Sequence, residues 1–150
     1  MRVVIQRVSK TQLFINKELY SSIQHGLLVL LGIEENDNNE DIEWLSQKIS
    51  QLRIFSDDDG KMTLSVNDVQ GEIMVVSQFT LHVQYAKGNR PSFIQAAKPD
   101  IAIPLYEQFI KSLQTKVTKL VATGKFGADM QIELCNDGPV TILMDSKTKQ

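Results

Sequence analysis

The sequence predicts a single α+β domain over residues 1–150, with layered β-sheets and two main helices packed on one side. Three observations carry this expectation. Short apolar runs, many of them rich in β-branched residues, recur along nearly the whole chain. Only two segments, one after Asn38 and one around Pro104, repeat their apolar residues at helical spacing. Strands and helices do not alternate strictly, which argues for a mixed domain rather than a parallel βαβ array. At 150 residues, 42% hydrophobic and 23% charged, the chain can bury a core of ordinary size.

Taken in order, "RVVIQRVS" and "TQLFINKELYSSI" read as extended segments, with Asn16-Lys17 as a turn between two strands. "GLLVLLGI", Gly26 to Ile33, is continuously apolar, as expected of a strand covered on both faces. The polar stretch "EENDNNEDIE" supplies a helix start, with Asn38 or Asn39 as the cap and acids in the first turn. Ile42, Leu45, Ile49 and Leu52 then form one inward stripe. "SDDDGK" ends in an Asp-Gly hairpin signal; three adjacent aspartates make a solvated turn rather than a metal site. "KMTLSV" and "GEIMVVSQFTLHV" are expected to be strands. The second helix is placed on "IPLYEQFIKSLQTKV", with Pro104 in its first turn and Pro99 before it. Its inward stripe is Leu105, Phe109, Leu113 and Val117, or Leu105, Ile110 and Leu113. "KLVAT" and "MQIELCN…VTILMD" close the chain as strands.

Bulk properties narrow the function. The formal net charge is −2, so any contact with nucleic acid must come from a local basic patch. The amino-terminal "MRVVIQRVSK" interrupts its apolar run with Arg2, Gln6 and Arg7, unlike a signal peptide. No apolar stretch approaches the ~20 residues of a membrane span. The single cysteine, Cys135, excludes an intrachain disulfide and fits a reducing cytoplasm. Its apolar neighbours suggest a small buried hydrophobe rather than a reactive thiol. His25 and His82 have no partner at metal-ligand spacing, so neither zinc nor another metal is expected. Phosphate-binding glycine loops and the G-x-S-x-G elbow are also missing, and no cofactor is implied.

Four stretches could carry chemistry. In "VVSQFTL" the apolar run gives way to Ser77 and Gln78, and in a strand Gln78 and Thr80 would share one side. This reads either as a strand leaving the core for solvent or as an amide placed to donate to a developing oxyanion. His82 would lie on that same side, and without a carboxylate to orient it reads as a solvent-edge histidine. "YAKGNRPSF" sets Lys87 and Arg90 around a glycine, which suits a phosphate-bearing ligand or an ordinary solvated loop. "ATGKFGADM" holds Phe126 between two glycines, available to stack a base or to pack. In "NDGPVT", Gly138-Pro139 interrupts an apolar segment in which neither residue suits a strand interior. That break is either a tight turn between two short strands or a place where chemistry happens.

Together, "SQFTL" at Ser77 to Leu81 and "NDGPVT" at Asn136 to Thr141 resemble the two signature motifs of the D-aminoacyl-tRNA deacylases. The likeness runs from Met1 to Asp145 and includes "RVVIQRVS", "GLLVLLGI", "KGNRPSF" and "ATGKFGADMQIELC". It departs at His82 to Tyr85, which receive no role, and at Asn89, where a basic or polar residue is usual. The resemblance implies the deacylase fold and hydrolysis of the ester joining a D-amino acid to the terminal adenosine of tRNA. It implies a cytoplasmic homodimer with its sites at the interface and no role for DNA or a membrane. Ser77, Gln78, Phe79 and Thr80 would line the catalytic pocket of one subunit. Gly138 and Pro139, joined by a cis peptide bond, would enter from the other, within the Asn136-containing motif. Phe126 and Met130 would border the adenine, and Arg7 would brace the Gly-Pro segment.

On that reading two rigid carbonyl oxygens accept from the substrate ammonium and exclude a side chain of L configuration, while D-amino acids and glycine pass. A neighbouring ribose hydroxyl assists attack, and backbone N–H groups around Phe79 with the Gln78 amide stabilise the oxyanion. Thr80 as a covalent nucleophile is the competing mechanism. Two other functions compete. One is a non-catalytic tRNA-binding module using Lys87, Arg90, Lys98 and Lys125; the other is a small-ester hydrolase using Ser77 or Thr80.

Overall fold

A computed structural model describes residues 1–149. Its trunk is the long strand β1 (Arg2–Ile15), which is antiparallel to every neighbour. Along one edge it meets β3 (Gly26–Gly32) and then β2 (Glu18–Ile23); along the other it pairs with β8 (Gln131–Asp145). The β1–β2 turn puts Asn16 and Lys17 at φ 52° and 65°, the pair of positive angles that matches the twist of a hairpin. Parallel pairing adds β6 (Glu72–Ser77) to β3 and the two-residue β7 (Ala122–Thr123) to β6, giving the order β2-β1-β3-β6-β7 with β8 on β1. The far edges approach each other, with the Ser21 hydroxyl donating to the Thr123 carbonyl at 2.8 Å. The sheet is therefore nearly closed. A separate small hairpin, β4 (Phe55–Ser56) with β5 (Met62–Leu64), turns through the Asp57–Gly60 segment.

Both faces of β3 are covered, which is why its sequence is continuously apolar. Leu27, Val29 and Leu31 join Val3, Ile5, Ile73 and Val75 in a core under the two helices. Leu28 joins Val8, Leu13, Ile23, Met74 and Val76 in a second cluster, enclosed by the curl of the sheet itself. Burying each Leu or Ile contributes about 1.5–3 kcal/mol, so the fold rests on two apolar layers with β3 between them.

Helix α1 (Asn39–Gln51) starts at Asn38, whose side chain accepts from the Glu40 N–H while Asp41 accepts from the Asn38 N–H. This reciprocal cap satisfies two donors that a helix start leaves orphaned. Ile42, Leu45 and Ile49 are buried as their spacing predicts, and Leu52 closes the helix as its C-cap. Both helices lie on the same side of the sheet, and they touch through the Ser46 and Ser112 hydroxyls at 2.9 Å.

Several expectations are corrected here. Helix α2 spans Pro99–Gln114, so the proline in its first turn is Pro99, and Pro104 sits inside the helix. Proline lacks an N–H and leaves one carbonyl a turn earlier without its intrahelical partner; the helix continues because its apolar face is anchored in the core. That face is Ala102, Tyr106, Phe109 and Leu113, with Leu105, Ile110 and Val117 only partly buried. Strand β6 ends at Ser77 rather than running on to Val83, and Phe79–His82 form a 3-10 turn. Gln78 and Thr80 therefore do not share one side of a strand. His82 is fully buried, not at a solvent edge, because the turn folds it inward against Gly32. Cys135 is exposed, on a stretch of β8 where neighbouring Glu133 and Leu134 are exposed too. The Gly138-Pro139 break does not reverse the chain: both halves of β8 run antiparallel to β1, and the segment bulges out opposite Arg7.

Candidate active site

The parallel β3–β6 pair ends at Leu31 opposite Ser77. One further ladder bond, from the Gln78 N–H to the Leu31 carbonyl at 2.7 Å, carries the chain past the strand end. Gln78 then turns at φ −142°, ψ 81°, and the Leu81 N–H closes back on its carbonyl at 3.3 Å. Gly32 makes room for that turn. A Cβ there would lie 2.9 Å from Leu81 Cβ and 3.1 Å from both the Gln78 carbonyl oxygen and His82 Cδ2.

The turn forms one wall of a cavity of about 270 Å³. Ser77, Gln78 and Phe79 line it together with Phe126, Gly127, Ala128 and Met130 of the loop before β8. Ile33, just after β3, and Ala97 and Ala102, at the start of α2, add apolar wall. Phe79 is 57% exposed and meets Phe93 edge to face at 5.2 Å. Phe126 is half-buried and rests edge to face on Tyr106 at 5.9 Å. Tyr106 in turn donates to the Val75 carbonyl at 2.8 Å, and burial pushes its phenol well above the ordinary tyrosine value. It is a neutral strut behind the cavity wall.

No His, Lys, Asp or Glu is among the residues that line the cavity. Gln78 Nε2 donates to Thr80 Oγ1 at 2.6 Å. His82 lies close by in sequence, but neither ring nitrogen has a hydrogen-bond partner, and Nδ1 is 3.8 Å from Glu34 Oε2. No group of three His, Cys, Asp or Glu side chains suited to a metal ion occurs among the described residues.

A second constellation surrounds the bulge in β8. Gln6 pairs with Thr141 and Val8 with Asn136, so Arg7 alone faces the segment Asp137–Val140. Arg7 is 12% exposed; its Nε donates to the Asp137 carbonyl at 2.9 Å and its Nη1 to the Ile54 carbonyl at 2.6 Å. Asn136 holds the bulge from the other side, accepting from the Val140 N–H at 3.0 Å and donating to the Thr141 hydroxyl at 3.1 Å. At the tip the Gly138-Pro139 bond is cis, both residues are exposed, and Gly138 has φ 132°. A Cβ on Gly138 would meet Arg7 Nη2 at 2.8 Å and Val140 Cγ2 at 2.9 Å.

Ser77, Gln78, Phe79, Phe126 and Met130 thus share one cavity, and Thr80 is tied to its rim. Arg7, Asn136, Gly138 and Pro139 form a separate group. Ser77 aligns with Leu31 on β3, whereas Arg7 aligns with Leu27. The two groups are offset by roughly 13 Å along the strands, and β8 is separated from β6 by roughly 14 Å across them. Within one chain they do not meet. The cavity walls Ala97 and Ala102, the strut Tyr106 and the seat at Gly32 escaped the sequence reading. Of these, only Gly32 carried a signal, as the glycine ending an otherwise apolar run.

An apolar cavity rimmed by amide and hydroxyl groups, set at the end of β6 beside the loop that leads into β8, marks a small α+β domain with one candidate substrate pocket at its strand end. The family model described as D-Tyr-tRNA(Tyr) deacylase matches residues 4–145, and the chain belongs to this family of ester-bond hydrolases. It is 59% identical over 150 residues, covering 100% of both chains, to a protein of Flavobacterium psychrophilum named D-aminoacyl-tRNA deacylase. It is 57% identical over the same full length to a protein of the same name from Bacteroides fragilis. Among solved structures, one described as c-Myc DNA Unwinding Element Binding Protein superposes with a TM-score of 0.90 at 42% identity, covering 97% of this chain and 98% of the other. A probable eukaryotic D-amino acid tRNA deacylase at 17% identity has a TM-score of 0.82, over 95% and 97% of the two chains, and shares the fold. Among the described residues no helix is long and apolar enough to cross a membrane.

Proposed function

We propose that this chain hydrolyses the ester of D-aminoacyl-tRNA, releasing free tRNA and the D-amino acid, and that two copies build each site. The observation that carries the reading is the convergence of Ser77, Gln78 and Phe79 with Phe126 and Met130 on one cavity. The apolar walls suit the terminal adenine, and the Gln78–Phe79 rim then faces the ester. Backbone N–H groups at the start of the 3-10 turn, together with the Gln78 amide, stabilise the oxyanion; one such donor is worth about 3–4 kcal/mol. The neighbouring ribose hydroxyl assists attack, which accounts for a rim without a base.

Handedness is read by Gly138 and Pro139 of a second copy. The separation of the two constellations within one chain supports this, as does the exposure of the bulge tip. A groove lined by Val4, Leu81, Leu143 and Met144 gives the second copy an apolar surface on which to settle. The Gly138 and Pro139 carbonyls accept from the substrate ammonium and leave no room for an L side chain. Because rejection needs no pocket for the D side chain, varied D-amino acids and glycine are accepted.

The test is incubation with matched D- and L-aminoacyl-tRNA and with glycyl-tRNA, alongside sedimentation to establish the oligomeric state. Release from the D and glycyl forms by a dimer supports the reading. Equal release from D and L forms points to an unselective esterase using Ser77 or Thr80. No release points to a tRNA-binding module.

A further inference from the structure

The chain leaves the cavity wall at Phe79 and returns to it at Ala97. Between them it makes an exposed loop, closed by reciprocal backbone hydrogen bonds of Gln84 and Ser92 at 2.8 and 2.9 Å. The tip, Tyr85 to Pro91, is exposed throughout, and Tyr85 itself is 75% exposed. Gly88 turns the tip at φ 78°, with open space around it. Tyr85, Lys87 and Arg90 line a shallow groove on this loop with Val83, Gln84 and Ser92. The foot of the loop is tied to the cavity through Phe93 on Phe79 at 5.2 Å and the Ala97 N–H on the Ile33 carbonyl at 2.9 Å.

Charge sets this loop apart. The chain holds 18 acidic residues against 16 basic, yet no Asp or Glu occurs from Ile73 to Pro99, where Lys87, Arg90 and Lys98 all fall. An acid-free, cationic loop with an exposed tyrosine beside one lysine and one arginine has the makeup of a single-stranded nucleic-acid platform. Bases stack on the ring and phosphates lie along the cations, with no need for a sequence code. A large aromatic left in water also has no packing reason to be there.

We propose that Tyr85, Lys87 and Arg90 hold the unpaired nucleotides immediately preceding the terminal adenosine, so that the loop guides the 3′ strand of the substrate into the cavity. The inference rests on the deacylase reading above and names a subsite of it. Tyr85 stacks one base, and Lys87 and Arg90 meet the adjacent phosphates.

The experiment compares three D-aminoacyl esters: on adenosine alone, on the tetranucleotide ACCA, and on intact tRNA. Tyr85→Ala and the double variant Lys87→Ala/Arg90→Ala should each raise KM about tenfold or more on the tetranucleotide and on tRNA, as loss of one stacked base or of two phosphate contacts requires. Both should leave the adenosine ester unchanged. Tyr85→Phe should restore the KM, because stacking needs the ring and not the hydroxyl. In the double variant the salt dependence of KM should also flatten. Equal loss on all three esters, or no loss on any, overturns the proposal. A loss seen with tRNA but not with the tetranucleotide places the loop against the paired stem and overturns it as well. If wild-type protein cleaves none of the three, the deacylase reading itself fails, which the other outcomes would not show.

Discussion

Gln78 Nε2 donates to Thr80 Oγ1 across 2.6 Å, so the two polar side chains at the cavity rim are bonded to each other. The hydroxyl accepts here, and no base stands ready to take its proton. On the proposed reading Thr80 is a support that aims the Gln78 amide. Thr80→Ala should lower kcat by about fivefold, the value of one neutral hydrogen bond. Single-turnover kinetics on D-aminoacyl-tRNA check this. A fall of several orders of magnitude would make Thr80 the nucleophile instead.

Gln78 itself should matter more. If its amide stabilises the oxyanion, Gln78→Ala lowers kcat by about 10²–10³-fold with little change in KM. Gln78→Glu should not restore it, since a carboxylate accepts where the amide donates. An unchanged kcat in the alanine variant would leave the oxyanion to the backbone alone.

Arg7 links the Asp137 carbonyl to the Ile54 carbonyl through two nitrogens of one planar group. A lysine offers a point charge in place of that fork. Arg7→Lys should therefore keep the fold and lose the register of the bulge. Activity toward D-aminoacyl-tRNA should fall by at least tenfold, while the midpoint of thermal unfolding moves by only a few degrees. Gly138→Ala should be more severe. At φ 132° a Cβ is strained, and it would press on Arg7 Nη2 at 2.8 Å. Loss of discrimination against L-aminoacyl-tRNA is the readout specific to the proposed role; loss of stability alone would argue for a structural one.

Legibility in the sequence followed how local the physics is. The stripe Ile42, Leu45, Ile49 and the Asn38 cap are set by neighbours within a turn, and they are found where their spacing places them. Continuous apolarity in Leu27 to Leu31 reports a strand between two apolar layers, and that too is local. The end of β6 was not legible, because "VVSQFTLHV" satisfies strand propensity throughout. What stops the strand is distant: a glycine at position 32 that lets the turn fold back. The same turn carries His82 inward, against the side that strand periodicity assigns to it. Tyr106 displaced Leu105 from the buried face because its hydroxyl reaches the Val75 carbonyl, a partner no periodicity reveals. In the site, the two motifs were visible, but their separation across three strand spacings appears only once the register is known.

The Tyr106 strut yields a split between stability and function. Tyr106→Phe keeps the ring under Phe126 and removes the hydroxyl bonded to a buried carbonyl. It should cost about 1–3 kcal/mol of stability and leave kcat/KM nearly unchanged. Tyr106→Ala removes the support under Phe126 as well, and KM for the adenosine ester should rise. Denaturant titration beside steady-state kinetics separates the two effects.

Acid should loosen the molecule where α1 meets the end of the chain. Burial alone would raise the Asp41 carboxyl, but hydrogen bonds from Lys147, Ser146 and the Asn38 N–H outweigh it and hold the group below its ordinary 3.8. A carboxylate whose folded value is depressed stabilises the protein fully above its unfolded value and loses that contribution as pH falls through the folded one. The partner works at the other end of the scale. Lys147 is raised above 10.5 by its hydrogen bond to Asp41, and its contribution fades only as pH climbs past that value. Between these limits the contact is intact, with Asp41 also completing the cap of α1. Asp41→Asn should therefore cost about 1–2 kcal/mol near pH 7, as lost caps and charged hydrogen bonds do. The difference from wild type should shrink below pH 4 as the wild-type carboxyl protonates. Thermal melts of both proteins from pH 3 to pH 8 check the convergence; a constant offset across that range would assign the role of Asp41 to packing instead of charge.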